Sequence, residues 1–223
     1  SHNGFELDKY FKTDDLKKCS RFWIILFKTI LSKLYHWKIY VVGSVEYQYP
    51  NHLFQAGYFL DKKYYDENTI DFKHLLLSEK NQSLLKDIQN SNSVGVHIRR
   101  GDYMTKQNLV IFGNICTQKY YHDAIRIITE KVNDAVFYVF SDDISWVQTH
   151  LDIPNAVYVN WNTGESSIYD MYLMSSCKYN IIANSTFSYW AARLNKKTNM
   201  VIYPSKWYNT FTPDIFPESW CGI

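Results

Sequence analysis

Glycine is scarce in this chain, 8 residues in 223, and proline is scarcer at 5. A collagen-like or linker-like composition is therefore excluded, and few tight turns are available. The four cysteines, Cys19, Cys116, Cys177 and Cys221, stand far apart and form no C-x-x-C pair, so neither a zinc site nor a thioredoxin-type motif is signalled. They read as reduced, mostly structural residues of a cytoplasmic protein. No stretch approaches the roughly 20 apolar residues of a membrane-spanning helix, and the best run, Phe22 to Phe27, is closed off by Arg21 and Lys28. An excess of one charge is missing too: 24 basic residues face 22 acidic ones, and a net +2 is too little for a nucleic-acid binder that must neutralise many phosphates. A small anionic ligand remains compatible. There is no G-x-G-x-x-G after a strand, no G-K-[ST] loop, no H-E-x-x-H and no D-x-D-x-D array. Dinucleotide oxidoreductases, P-loop enzymes and metal centres are thereby disfavoured. The chain opens on Ser-His-Asn-Gly without a signal peptide, and Ser1-His2 reads as the scar of a cleaved tag.

What is abundant is aromatic and apolar surface. Aromatic residues make up 17% of the chain, with 19 Tyr and 7 Trp, inside an apolar fraction of 46%. That supports a substantial core built from large flat side chains. From Asp14 to Trp37, Leu16, Cys19, Trp23, Leu26, Ile30, Leu34 and Trp37 recur at helical spacing, with Thr13 placed to cap the helix. Its lysine-fringed face packs on a core or, alternatively, rests peripherally on an anionic membrane surface. Residues 39–90 offer one strand, Ile39 to Val42, and helical segments at Phe72 to Leu77 and Asn81 to Ile88.

Beyond Ser93 strands and helices alternate. Val94 to Ile98, Val136 to Phe140, Val157 to Val159, Asn180 to Ala183 and Met200 to Tyr203 are apolar without alternation, as buried parallel strands are. Helical stretches at Gln118 to Val132, Ile144 to Leu151, Ser167 to Cys177 and Thr186 to Leu194 lie between most of them. This is the pattern of a Rossmann-type α/β domain, in which ligands bind at the carboxyl ends of the strands.

Three polar clusters sit at such ends. The first is His97-Ile98-Arg99-Arg100-Gly101-Asp102, where Gly101 permits a sharp turn and the adjacent arginines suit a diphosphate. A structural ion pair fits Arg100 and Asp102 better than Arg99, and Arg100-Gly-Asp as an adhesion tripeptide carries almost no weight. The second is Ser141-Asp142-Asp143, an N-cap in which one carboxylate suffices and the other is left for a base edge or a ribose diol. The third is Asn184-Ser185-Thr186-Phe187-Ser188, where a helix begins and amide donors converge on an anion, or where the helix is merely capped. Its Asn-Ser-Thr sequon is a weak signal.

Val-His-Ile-Arg-Arg-Gly-Asp-Tyr at 96–103, Phe112-Gly113 with Cys116, Tyr120-Tyr121 and Ala124-Ile125, Phe140-Ser-Asp-Asp with Trp146, and Met174-Ser-x-Cys177 with Ile181-Ile-Ala-Asn-Ser-Thr-Phe-Ser and Trp190 resemble the ordered motifs of the bacterial α-1,2-fucosyltransferases, glycosyltransferase family 11. Gly57-Tyr58-Phe59 and Lys63-Tyr64-Tyr65 resemble the stretch ahead of the first motif. The resemblance implies a GT-B-like α/β fold with a donor domain at 91–207, a partial and mostly helical acceptor-side domain at 1–90 and a tail at 208–223. It further implies inverting, metal-independent transfer of fucose from GDP-fucose to the 2-hydroxyl of a galactose-terminated glycan, without a cofactor. Carried over to this sequence, Arg99 contacts the β-phosphate and His97 the guanosine end. Ser141, Asp142 and Asp143 read guanine or ribose, and Ser185 with Thr186 holds phosphate. Arg100, Asn184 and Phe187 complete the binding set. Asp102 is the nearest candidate base, or else it braces Arg100. The first strand and Gly-rich loop usual in the family are missing before the first helix, so the chain is expected to be part of a longer polypeptide. Alternatives are a related GDP-deoxyhexose or linkage, or a nucleotide- or glycan-binding module without turnover.

Overall fold

The structure is a computed structural model that describes residues 7–12, 30, 40–43, 54–57 and 70–223. Apart from Ile30, the helix expected over 14–37 lies outside the described residues, as do Tyr58, Phe59 and the Lys63-Tyr64-Tyr65 stretch. The chain divides into two compact units. One holds Ser1–Lys12, Ile70–Thr212 and Pro217–Ile223, the other Thr13–Thr69 and Pro213–Phe216. In the second unit the strand expected near residue 40 is present as β1 (Tyr40–Gly43), and a further strand, β2 (Phe54–Gly57), pairs with it in parallel.

The first unit contains α1 (Leu7–Tyr10), α2 (Glu79–Asn90), β3 (Asn92–Ile98), α3 (Lys106–Phe112), α4 (Gln118–Lys131), β4 (Ala135–Ser141), α5 (Ile144–His150), β5 (Ala156–Val159), α6 (Ser167–Ser175), β6 (Tyr179–Ile181), α7 (Thr186–Arg193), β7 (Met200–Tyr203) and β8 (Cys221–Gly222). Its six strands form one sheet in the order β5-β4-β3-β6-β7-β8, each pair parallel. Winding runs outward from β3 through β4 to β5, then returns to β6 and runs the other way. The reversal between β3 and β6 makes their carboxyl ends the topological switch point of the sheet.

Burial explains the strand sequences. Val94, Val96 and Ile98 of β3 and Phe137, Val139 and Phe140 of β4 are all at most 1% exposed, so both faces of the sheet are covered and no polar alternation survives. On α4 the buried Tyr121, Ala124, Ile125 and Ile128 follow helical spacing and pack into the same core, while Thr117 caps the helix by accepting the Tyr120 amide proton at 3.3 Å.

Three segments depart from expectation. Residues 72–77 are not helical, and the start of the stretch pairs with the chain at Tyr10 to Lys12: Lys12 donates to the Asp71 carbonyl at 2.9 Å, Lys73 donates to the Tyr10 carbonyl at 2.8 Å, and the Phe11 and Phe72 rings stack at 5.0 Å. The segment expected as a tail, 208–223, instead supplies β8, which adds to β7 through Ile202↔Cys221 and Tyr203↔Gly222. A two-residue strand has no pattern to read. Helix α3 also had no sequence signal; Thr105 caps its start, and Asn209 closes its end by donating to the carbonyls of Val110 at 2.9 Å and Gly113 at 3.2 Å. Among the described residues no helix is long and apolar enough to cross a membrane.

Gly95 sits at the middle of β3 where only a hydrogen fits. A β-carbon there would lie 2.9 Å from Asn180 Nδ2 and 3.0 Å from Met174 Cγ. That amide is fixed by donating to the Met174 carbonyl at 2.9 Å, and its Oδ1 accepts from Asn195 at 3.0 Å. Gly95→Ala is expected to destabilise the fold by about 1–3 kcal/mol through overpacking, read as a lower urea midpoint with unchanged m-value. An unchanged midpoint would show that the Asn180 amide gives way without cost.

Candidate functional site

The register of β3 against β4 ends at Ile98↔Ser141, so the residues that follow, Arg99 and Asp142, emerge side by side at the carboxyl edge. Arg99 Nη1 pairs with Asp142 Oδ2 at 2.8 Å, and Asp142 Oδ1 accepts the Arg100 amide proton at 2.9 Å. A β-carbon at Gly101 would run into Asp142 Oδ2, so a larger residue here would have to push that carboxylate aside. Asp143 is equally committed. Its Oδ1 caps α5 by accepting the Trp146 amide proton at 3.1 Å, while Oδ2 accepts from Arg100 Nε at 3.3 Å. Ser141 Oγ in turn accepts the Asp143 amide proton at 3.0 Å. Both carboxylates of this turn are engaged by the arginine pair, so neither is left unpaired as the sequence suggested.

The expected pairing of Arg100 with Asp102 is also reversed. Asp102 Oδ1 lies 2.6 Å from Arg99 Nη2, whereas Arg100 turns to Asp143 and lays its guanidinium 3.6 Å above the Trp146 ring. The same indole is stacked with the His150 ring at 4.6 Å. Planar guanidinium, indole and imidazole form a layered stack that fixes Arg100 in orientation.

On the other side of the switch point His97 is buried, with its ring 5.2 Å from Phe187 and its carbonyl accepting the Tyr121 hydroxyl proton at 3.1 Å. Its Nδ1 has no hydrogen-bond partner. Burial, aided by the Arg99 charge, pushes its pKa down to about 3, so the imidazole is neutral at physiological pH. A buried unpaired ring nitrogen is a polar group in want of a partner. Ser185 begins α7 in extended conformation without bonding the helix amides through its hydroxyl; Thr186 is exposed and Phe187 half-buried. Asn184 is different. Its amide donates to the carbonyls of Phe112 at 3.2 Å and Trp207 at 3.1 Å, and its Oδ1 accepts from the Cys116 thiol at 3.4 Å. The side chain thus ties loops together at the wall of the cavity beside the arginine pair. Tyr103 reinforces the tie by donating to the Asn184 carbonyl at 2.9 Å.

A cavity of about 390 Å³ opens on the α4 side of the arginine pair, lined by Arg99 and Arg100, by the aromatic rings of Tyr103, Phe112 and Tyr121, and by the first residues of α4. His97, Ser185, Thr186 and Phe187 lie outside its lining. The three described cysteines are free; burial pushes the Cys116 thiol up to about 12, so it stays protonated. Among the described residues no three His, Cys, Asp or Glu side chains gather as a metal-ligand set.

A further polar group at the carboxyl edge went unrecognised in the sequence. Asn81 at the start of α2 accepts from Trp161 Nε1 at 2.7 Å and from Asn162 at 3.1 Å, and Asn162 donates to Asp170 Oδ1 at 2.7 Å. Burial raises the Asp170 pKa to about 7, against the lowering effect of the Asn162 hydrogen bond. The available signal was a lone carboxylate in an otherwise apolar helix.

An open parallel sheet of this winding, with an arginine pair and a neutral buried imidazole at the carboxyl edge of its central strand, defines a doubly wound α/β domain. The family comparison is specific: residues 12–223 match the model of glycosyl transferase family 11, and the chain belongs to that family. It is 35% identical over 196 residues to an alpha-1,2-colitosyltransferase of Escherichia coli, covering 81% of this chain and 63% of that protein. It is 44% identical over 122 residues to the O-antigen biosynthesis glycosyltransferase WbnK of Escherichia coli, covering 54% and 40%. It is 28% identical over 163 residues to galactoside alpha-(1,2)-fucosyltransferase 2 of Pongo pygmaeus, covering 67% and 48%. The chain therefore spans 40 to 63% of the length of these relatives.

Asp170 generates a pH prediction. Its folded pKa of about 7 lies above the ordinary carboxyl value, so the folded state holds a proton that the unfolded state has released. Stability is complete below about pH 4 as far as this group is concerned, and is lost as pH rises towards and through 7. Asp170→Asn is expected to flatten that decline, which for the native residue is on the order of a few kcal/mol. Urea unfolding of both proteins from pH 5 to 8 measures it; parallel curves would rule the carboxyl out as the cause.

Proposed function

We propose that the chain carries the donor-binding part of an inverting glycosyltransferase that moves L-fucose from GDP-fucose to the 2-hydroxyl of a galactoside. The observation that carries the reading is the placement of Arg99 at the carboxyl edge of β3, paired with Asp142 and two residues after the buried, neutral His97, in a chain of family 11. In glycosyl transfer the bond from C1 to the diphosphate breaks through an oxocarbenium-like state while charge grows on the β-phosphate. A guanidinium and a helix amino terminus held ready at that point stabilise the leaving group without solvent reorganisation. On this reading no metal is required. His97 Nδ1 serves the guanosine end, Ser185 and Thr186 with the α7 amides serve phosphate, and Asp102 takes the acceptor proton. The acceptor enters the cavity beside Arg99, and the longer protein completes a GT-B-like arrangement with its acceptor-side half.

A second reading keeps this chemistry and exchanges the sugar. The alpha-1,2-colitosyltransferase is matched at higher identity and over more of the chain than the fucosyltransferase, which favours colitose as the alternative donor sugar. Both names carry the same α-1,2 linkage.

Incubation with GDP-fucose or GDP-colitose and a panel of galactosides, with linkage read by NMR, decides between donors. An α-1,2 product from one of them is expected, and transfer from neither overturns the reading. Arg99→Ala is expected to lower kcat by a hundredfold or more with the thermal midpoint unchanged, and Arg99→Lys to restore part of it, since a point charge does not reproduce the fork. Chelator should leave the rate unaltered. Near-native turnover by Arg99→Ala, or loss of turnover with chelator, would refute the leaving-group mechanism.

A further inference from the structure

Both terminal amino groups of Arg99 are engaged, Nη1 by Asp142 at 2.8 Å and Nη2 by Asp102 at 2.6 Å. The two carboxylates are not equivalent. Asp142 also holds the Arg100 amide and lies against Gly101, so it cannot leave without the turn. Asp102 has a fixed main chain, its carbonyl accepting from Asn108 Nδ2 at 2.9 Å and from the Thr105 amide at 3.2 Å, but its side chain is 43% exposed and bonded to Arg99 Nη2. An exposed ion pair is weak enough to exchange, and a phosphate offers the same guanidinium edge a stronger, bidentate partner. Tyr103 sits beneath the pair, its ring 5.7 Å from the Arg99 guanidinium carbon, and keeps the arginine in place while one partner is replaced.

Resting on the GDP-sugar reading, we infer that Asp102 is a donor-operated latch: it holds Arg99 Nη2 until the β-phosphate displaces it, and the carboxylate so released becomes the base for the acceptor hydroxyl. In the step that follows, the acceptor oxygen forms its bond to C1 as the bond from C1 to the β-phosphate oxygen breaks. The electron pair of that bond leaves on the diphosphate, and the acceptor proton passes to Asp102. The base is thus inactive until the donor is seated, which imposes an order of binding, donor before acceptor, and limits unproductive proton transfer.

The latch competes with the donor for one guanidinium edge, so its removal has opposite effects on binding and on turnover. In calorimetric titrations of the chain with GDP, Asp102→Asn is expected to bind about two- to fivefold more tightly than the native protein. Its kcat is expected to fall by a factor on the order of a hundred or more. Asp123→Asn removes an equal charge from α4, where that residue pairs with Lys119 and Arg126, and should leave GDP affinity unchanged. GDP binding by Asp102→Asn that is unchanged or weaker, or equal tightening in Asp123→Asn, overturns the latch alone. Failure of the native chain to bind GDP overturns the nucleotide reading on which it rests.

Discussion

Everything distinctive about the carboxyl edge depends on the carboxylate of Asp142. Two adjacent arginines at the end of a buried strand repel each other and lose hydration together, and they are tolerable only if anionic partners reach them. The parallel register delivers that partner without a dedicated loop, because Ile98 opposite Ser141 leaves Arg99 opposite Asp142. One oxygen neutralises the guanidinium and the other fixes the Arg100 amide, so a single side chain sets both the charge and the backbone of the turn. Gly101 leaves room for that carboxylate, which a β-carbon there would crowd.

Around this ion pair the flanking groups are kept neutral by burial. His97 is held unprotonated, Cys116 is held as a thiol, and burial pushes the Tyr103 hydroxyl pKa up, so that hydroxyl too remains a donor. Asp170, farther along the edge, stays largely protonated up to neutral pH. Fixed charge is therefore concentrated at Arg99 and Arg100 with their acidic partners, and the neighbouring surfaces contribute shape and hydrogen bonds. Among the acidic partners of the arginines, Asp102 has the least anchorage.

The stack of Arg100, Trp146 and His150 has a structural consequence of its own. Asp143 caps α5 and simultaneously binds Arg100, so the start of that helix and the turn after β3 are set by the same carboxylate. Asn184 and Tyr103 perform the corresponding service between the turn and the loop after β6. The two halves of the switch point are thus linked by side chains and not by the sheet alone.

Apart from α3, which buries no residue, and β8, strand and helix order from residue 92 onward was legible in the amino-acid sequence, because strands buried on both faces and helices buried on one leave clear apolar patterns. The clusters at the strand ends were legible for the same reason, since composition and chain position suffice to locate them. Partner choice was not. Whether Asp102 pairs with Arg99 or Arg100 is a choice of rotamer among near neighbours, and the partners of Asp142 and Asn184 lie 42 and 72 positions away in the chain, which no local pattern encodes. The same holds for β8, too short for a pattern, and for Asp71 to Lys73, which pair with Tyr10 to Lys12. Local burial and periodicity are properties of a sequence, whereas hydrogen-bond allocation among several competing acceptors is settled only when the chain brings them within reach of one donor.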